Sequence, residues 1–174
     1  MIELEGDECL IRAWRESDRE SLLRFANNRR IWRNLRDRFP HPYTEAHADA
    51  WFALCREHPE HAGWAIEVER TAVGGISLAT NQDVYAKTGE IGYWLGEPWW
   101  GRGIMTRAVR MVSDHAFARL GLERIEAPVF AWNPASMRVL EKCGYEREAT
   151  LRRSVFKDGQ LIDCMLYVRF ARSG

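Results

Sequence analysis

Residues 90–109, EIGYWLGEPWWGRGIMTRAV, decide how this chain is read. EIGYWL (90–95) reads as a strand, and Gly96, Pro98, Gly101 and Gly103 then break the pattern. Beyond them Met105, Ala108, Val109, Val112 and Ala116 recur at i, i+3, i+4, i+7 and i+11, the spacing of one helix face, and Gly121 ends the run. A strand therefore passes through a glycine-containing turn straight into a long helix. The start of such a helix offers unpaired N–H groups and the positive end of the dipole, a ready site for phosphate. Gly101 and Gly103 let the backbone approach an anion without a Cβ in the way, and Arg102 adds a charge able to pair with phosphate.

Three nucleotide loops compete for these residues. A Walker loop needs G-x-x-x-x-G-K-[ST], and no Gly-Lys-Ser/Thr occurs in the chain. A dinucleotide fingerprint, G-x-G-x-x-G/A, meets Thr106 at its sixth position and belongs early in a parallel βαβ series. A pyrophosphate loop of another kind remains, beside a strand-to-helix turn of purely structural use.

On the N-terminal side, 63–69 and 72–80 read as strands around an ERT turn, a hairpin. Residues 45–57 form a helix that Thr44 caps and Pro59 stops, with a stripe of Ala50, Trp51, Leu54 and Cys55. Before it come a first strand in 9–14 and a helix in which Ser17 and Glu20 have capping-box spacing and Leu22, Leu23 and Ala26 form the apolar face. On the C-terminal side 124–131 is a strand, Asn133 caps a helix that Gly144 closes, and two strands, roughly 145–155 and 161–170, meet at the turn KDGQ. Hairpins at both ends of a mixed order predict an α+β fold around a mixed sheet, not a doubly wound parallel one.

The chain has 174 residues, 46% of them apolar, with eight Trp, seven Phe and five Tyr, which suits one domain (1–174) with a substantial core. Its 25 cations and 25 acids cancel, which argues against a surface built throughout for nucleic acid. The cations are 22 Arg and only three Lys, and five of the Arg (29, 30, 33, 36, 38) crowd into one segment. Cys9, Cys55, Cys143 and Cys164 form no C-x-x-C pair, which argues against a disulfide framework or zinc ribbon and fits a reducing cytosol. The acidic start, MIELEGDECL, lacks a signal-peptide layout, and no apolar run approaches the ~18 residues of a membrane span, so a cytoplasmic protein without membrane contact is expected. His58 and His61 form H-x-x-H around Pro59 with no further ligand cluster, so no metal is expected; His115 reads as a partly buried helix residue.

A second motif stands about thirty residues after the glycine turn: NPASMRVLEKCGY, with Asn133, Ser136, Lys142, Gly144 and Tyr145. Together the two motifs resemble the GNAT superfamily of acyl-CoA-dependent N-acyltransferases. Residues 101–105 match its [QR]-x-x-G-x-[GA] loop, with Trp100 in place of the leading Gln/Arg and Met105 in place of the final small residue. The N-x-x-S-x-x-x-x-x-K-x-G-[FY] pattern at 133–145 matches without a gap. IRAWRESDRESL (11–22), FPHPYTEAHADAWF (39–52), EIGYWLGEPWWGRGIMTRA (90–108) and DGQLIDCMLYVRF (158–170) make the chain look most like the RimJ/RimL-type branch. The resemblance implies a GNAT fold, with a mostly antiparallel central sheet of six to seven strands flanked by about four helices.

It also implies an activity and a set of roles. The co-substrate would be acetyl-CoA, with no metal, and the reaction is direct attack of a primary amine on the thioester. The pyrophosphate would sit on the backbone of Gly101, Arg102, Gly103, Ile104, Met105 and Thr106, with Asn133 and Ser136 also touching CoA. Pantetheine would run along Tyr93, Trp94 and Leu95, and an N–H near Leu95 would stabilise the oxyanion. Glu90 matches the glutamate that deprotonates the amine in many relatives, and Asp163 is the second candidate carboxylate. Each carries a plainer alternative, a solvent-facing strand residue for Glu90 and a loop hydrogen bond for Asp163. Many relatives have a tyrosine acid seven residues after the motif's Asn, where this chain has Leu140; Ser136 is at the position thought to stabilise the leaving thiolate. Tyr145 reads as core, and Cys143 has no visible His–acid partner.

Trp32, Phe39, Tyr43 and Trp51 could wall the acceptor groove, since this part of the family's chain shapes it. The 29–38 run is either a solvated face or a patch for an acidic protein segment or ribosomal RNA. Acceptors compatible with the motifs are protein N-termini and small-molecule amines; nucleic acid is not expected beyond a ribosome contact. An exposed Trp99 or Trp100 would point to a homodimer or to a gate over CoA. A catalytically idle CoA-binding module docking through 29–38 is the competing function.

Overall fold

A computed structural model describes residues 3–172. Its strands are β1 (Leu4–Gly6), β2 (Cys9–Arg12), β3 (Trp64–Val68), β4 (Thr71–Thr80), β5 (Thr88–Leu95), β6 (Arg124–Phe130), β7 (Glu146–Lys157) and β8 (Gln160–Phe170). The helices are α1 (Arg19–Ala26), α2 (Arg29–Trp32), α3 (Glu45–Glu57), α4 (Pro59–Ala62), α5 (Ile104–Leu120) and α6 (Pro134–Lys142). The sheet order is β1-β2-β3-β4-β5-β6-β8-β7. β5 and β6 pair in parallel, whereas β1–β2, β2–β3, β3–β4, β6–β8 and β7–β8 are antiparallel. Among the described residues there are thus eight strands rather than six to seven. The extra one, β1, is three residues long and pairs with β2 across Asp7 and Glu8, too short for alternation to reveal.

The chain divides into two compact units, one running to Ser77 with Tyr93–Ala108 added, the other formed by Leu78–Gly92 and the residues from Val109 on. In the first unit Ile11, Ala65, Ile66, Val73 and Ile76 of the strands are at most 2% exposed. A helical cluster of Leu22, Ala26, Tyr43, Ala48 and Phe52 packs with Trp14, Leu23, Phe39, Trp51 and Trp94. α3 has the expected bounds, with the Thr44 N–H donating to His47 Nδ1 at 3.1 Å at its start. Its buried line is Ala48–Phe52, while Ala50, placed in the expected stripe, faces solvent.

The start of α1 departs from expectation. The N-cap is Asp18, not Ser17, and its side chain makes no cap bond to the helix but is engaged in a buried ion cluster. Arg12 at the end of β2 is 3% exposed, and its Nη1 and Nη2 each donate to Asp18 at 2.8 Å. Arg12 Nε donates to Glu67 on β3, and the Arg15 N–H donates to Asp18 at 2.8 Å. The hydrogen bond to Asp18, helped by that to Glu67, outweighs burial, which acts the other way, and pushes the Arg12 guanidinium above its ordinary value. One carboxylate thereby ties the end of β2 to the turn that leads into α1.

In the second unit β6 alternates, with Ile125, Ala127 and Val129 buried, and Val109, Val112 and Ala116 of α5 are buried as their spacing predicts. The Ser113 hydroxyl meets Tyr145 Oη at 2.8 Å, which makes Tyr145 a core residue. β7 and β8 meet at Asp158 (φ 51°) and Gly159 (φ 74°), the two positive φ values of a primed hairpin turn.

Replacing Asp18 with Ala leaves the buried Arg12 charge with Glu67 alone. We expect a loss of about 3 kcal/mol in urea unfolding, in the range for breaking a buried pair. A loss below about 1 kcal/mol would show that the cluster is not structural.

Candidate functional site

In the first unit, β5 ends in a tightly bonded corner. The Gly96 N–H donates to Val73 O at 2.7 Å, and Trp100 Nε1 donates to Leu95 O at 2.7 Å. A short 3-10 turn, Glu97–Trp99, then leads to Gly101 (φ 76°) and Gly103 (φ 79°). A Cβ on Gly101 would meet nothing within 4 Å, so the backbone angle, not crowding, calls for glycine there. The first helical bond of α5 runs from the Arg107 N–H to Gly103 O at 3.1 Å. The N–H groups of Ile104 and Met105 precede that bond, at the positive end of a 17-residue helix. Both side chains are buried, so these residues offer an anion their backbone only. Arg102 is exposed, and its guanidinium lies 4.9 Å over the Trp99 ring. The turn therefore fits a phosphate group, with main-chain donors, a mobile cation and no Cβ in the way.

A cleft of about 510 Å³ adjoins this turn and was not legible in the sequence. Trp99, Arg102 and Ile104 line one part, while Glu5, Asp7, Glu8, Glu67 and Glu69 make the rest acidic. These carboxylates repel phosphate, so an anion at the turn would be held on the side of the helix start away from them.

Phe39 and Tyr43, expected in the acceptor wall, lie in one aromatic cluster with Trp14, Trp51 and Trp94. Trp94 stacks on Trp14 (centroids 6.5 Å, planes 13° apart), and Trp14 meets the edge of Trp51 at 5.9 Å. Phe39 lies 5.4 Å from Tyr43 and 5.6 Å from Trp94. Trp32 pairs instead with His41, at 5.8 Å. A Cβ on Gly75 would come 2.8 Å from Trp94 Nε1 and 3.2 Å from Trp14, so this glycine makes room for the stack. Tyr93 is half-buried; Trp94 contributes its ring to the cluster, which a backbone role for it does not foresee.

In the second unit, half-buried Glu90 stands on β5 opposite Glu126 of β6. The Asn133 side chain caps α6 by accepting from the Ser136 N–H at 3.2 Å, as its sequence position predicts. Leu140 is fully buried, so a core leucine fills the place of the usual tyrosine. Asp163 Oδ1 accepts from the Arg153 N–H at 2.7 Å where β7 bulges, the loop bond named as its plainer alternative. Cys143 is buried, and burial pushes its thiol above the ordinary value. Among the described residues no group of three or more His, Cys, Asp or Glu could hold a metal, and the His61 side chain lies outside the described residues.

This combination of fold and turn has counterparts among known proteins. The acetyltransferase (GNAT) domain profile matches residues 9–146, and the chain belongs to that family. It is 41% identical over 106 residues to the probable N-acetyltransferase YjcK of Bacillus subtilis, covering 61% of this chain and 59% of that one. It is 35% identical over 88 residues to the ribosomal-protein-serine acetyltransferase of Escherichia coli, covering 50% of this chain and 49% of that one. These matches thus span about half to three fifths of the relatives' own length. The structure of Mycobacterium smegmatis RimJ in complex with CoA-disulfide superposes with a TM-score of 0.77 at 26% identity, covering 94% of this chain and 82% of that one.

Burial pushes the hydroxyls of Tyr43 and Tyr145 up to about 12. The unfolded chain releases these protons near pH ~10, so between about 10 and 12 the folded state binds more protons. Stability is therefore full below that window and falls as pH rises through it. In Tyr145→Phe the fall measured by urea unfolding should be shallower; an unchanged slope would contradict the assignment.

Proposed function

We propose that the protein transfers the acetyl group of acetyl-CoA to the primary amine of an acceptor, by direct attack on the thioester, and that the acceptor is a protein N-terminus. The observation that carries this reading is the left-handed pair Gly101 and Gly103 at the start of α5, in a chain of the GNAT family. The protein acceptor is supported by the likeness to the ribosomal-protein-serine acetyltransferase, and the use of CoA by the likeness to RimJ in complex with CoA-disulfide.

When bound, acetyl-CoA supplies an activated thioester. The backbone of 101–106 and Arg102 bind its pyrophosphate, while Asn133 and Ser136 contact CoA. The main chain of Tyr93, Trp94 and Leu95 orients the pantetheine, and a backbone N–H near Leu95 stabilises the oxyanion. Glu90 takes the proton from the attacking ammonium, directly or through water, so that a neutral amine attacks. The Ser136 hydroxyl stabilises the departing thiolate. Asp163, tied to the Arg153 N–H, is the second candidate base and the weaker one, since that bond occupies one of its oxygens. Phe39, Tyr43 and Trp51 give the acceptor apolar walls, and Trp32 stands on the segment leading to them.

The fully buried Leu140 favours one competing reading, a CoA-binding module without turnover. It predicts CoA binding, no transfer to any amine, and partner association that weakens steeply with salt.

Thiol release from acetyl-CoA, followed with peptides bearing a free N-terminal Ser or Ala, spermidine and an aminoglycoside, separates the two. We expect turnover with a peptide. Glu90→Gln should lower kcat by about tenfold or more with CoA affinity within about twofold of the parent, and Ser136→Ala should lower kcat by as much. Full rates in both variants would refute the roles, and no turnover with any amine would refute the enzyme.

A further inference from the structure

The arginine run at 29–38 is tied to the turn that precedes the anion-binding glycines, and one residue makes the tie. Glu97 lies in the 3-10 turn after β5. One of its oxygens accepts from Asn28 Nδ2 at 2.8 Å, and the other accepts from Arg30 Nη1. The Asn28 Oδ1 in turn accepts from the Arg30 N–H at 2.8 Å, which caps α2. A single amide thus starts the helix with one end and grips Glu97 with the other. The Arg30 guanidinium also lies 5.1 Å over the ring of Trp100, whose indole N–H is bonded to Leu95 O. The Asn34 amide donates to Arg30 O at 3.0 Å and carries the connection toward Phe39.

This chain of contacts joins two segments about seventy residues apart in sequence, both inside the first unit. The Arg30 side chain is 67% exposed and that of Glu97 36%, so their ion pair by itself holds little. The part-buried, charge-assisted bond from Asn28 is the stronger link. Arg30 is thus engaged by a carboxylate and an indole while its side chain stays largely exposed.

We propose that Glu97 is a positioning residue for the acceptor, resting on the acetyltransferase reading above. It fixes the start of α2, and with it the path toward Phe39 and Tyr43, against the corner that carries Leu95 and leads to Gly101. Without this tie the segment keeps its buried Ile31 and the bond from the Tyr43 N–H to Asn27 Oδ1 but loses its fixed start, and the cost of restoring that start falls on acceptor affinity rather than on the chemical step. CoA affinity is spared, because the backbone donors of Ile104 and Met105 are held by α5 itself.

The test compares wild type, Glu97→Ala, Glu97→Gln and Asn28→Asp, using the amine of the panel above that wild type acetylates best. Glu97→Ala should raise the acceptor KM about tenfold, the size of one charge-assisted bond, with kcat and the CoA Kd within about twofold. Glu97→Gln keeps an oxygen for Asn28 and should recover most of the affinity. Asn28→Asp keeps the cap oxygen for α2 but sets a carboxylate against Glu97, so it should reproduce the Glu97→Ala defect even if that variant folds poorly. The proposal is overturned if the acceptor KM stays unchanged in both Glu97→Ala and Asn28→Asp, if CoA Kd rises in step with it, or if Glu97→Gln is as impaired as Glu97→Ala. If wild type releases no thiol with any amine, the acetyltransferase reading fails and the positioning role fails with it; if wild type turns over and the variants match it, only the positioning role fails.

Discussion

The conversion of β5 into α5 is the constraint on which the proposed chemistry of this chain depends. A strand and a helix need their main-chain donors pointed in different directions, and only a few residues lie between them. The corner is held at its start by Gly96 bonded to Val73 and by Trp100 bonded to Leu95. It is completed by two left-handed glycines, a conformation that costs an L-residue about 1–2 kcal/mol. The helix that follows is anchored by the buried face of Met105, Ala108, Val109, Val112 and Ala116, so its N-terminal donors stay where the turn leaves them.

Electrostatics in this protein is local rather than global. The formal charge is zero, yet the carboxylates of Glu5, Asp7, Glu8, Glu67 and Glu69 line one cleft, while five arginines fall within 29–38. A phosphate-bearing ligand needs no net positive charge when helix-terminal amides and one flexible arginine receive it. Several arginines serve structure: Arg12 is buried between Asp18 and Glu67, Arg124 bridges Glu126 and Glu148, and Arg30 is clasped by Glu97. The guanidinium suits these duties because its fork donates to two oxygens at once.

Elements with their own local signals were legible in the sequence. The bounds of α3 follow from Thr44 and Pro59, the stripe of α5 from its spacing, the cap of α6 from Asn133, and the last hairpin from Asp158–Gly159. The features that escaped are non-local. β1 is a three-residue strand paired with β2, and Asp18 is drawn into a buried cluster with Arg12, which also meets Glu67 of β3. The stack of Trp14 on Trp94 needs the sheet register and the absence of a side chain at Gly75. The grip of Glu97 on Asn28 joins residues whose sequence neighbourhoods share no pattern. For the candidate site, the glycines, Arg102 and Asn133 could be read from the sequence, while the acidic cleft and the packed aromatic wall could not.

Calorimetric titration of CoA into wild type and Gly103→Val, with helix content monitored by circular dichroism, bears most directly on the role of the β5–α5 corner. A β-branched residue at φ 79° strains the backbone at the start of α5 without removing any charged group. Wild type should bind CoA, and the variant should bind at least about tenfold more weakly with its helices intact. Equal affinity in the two proteins, or no binding by wild type at millimolar CoA, would contradict the assignment of the corner as the phosphate site.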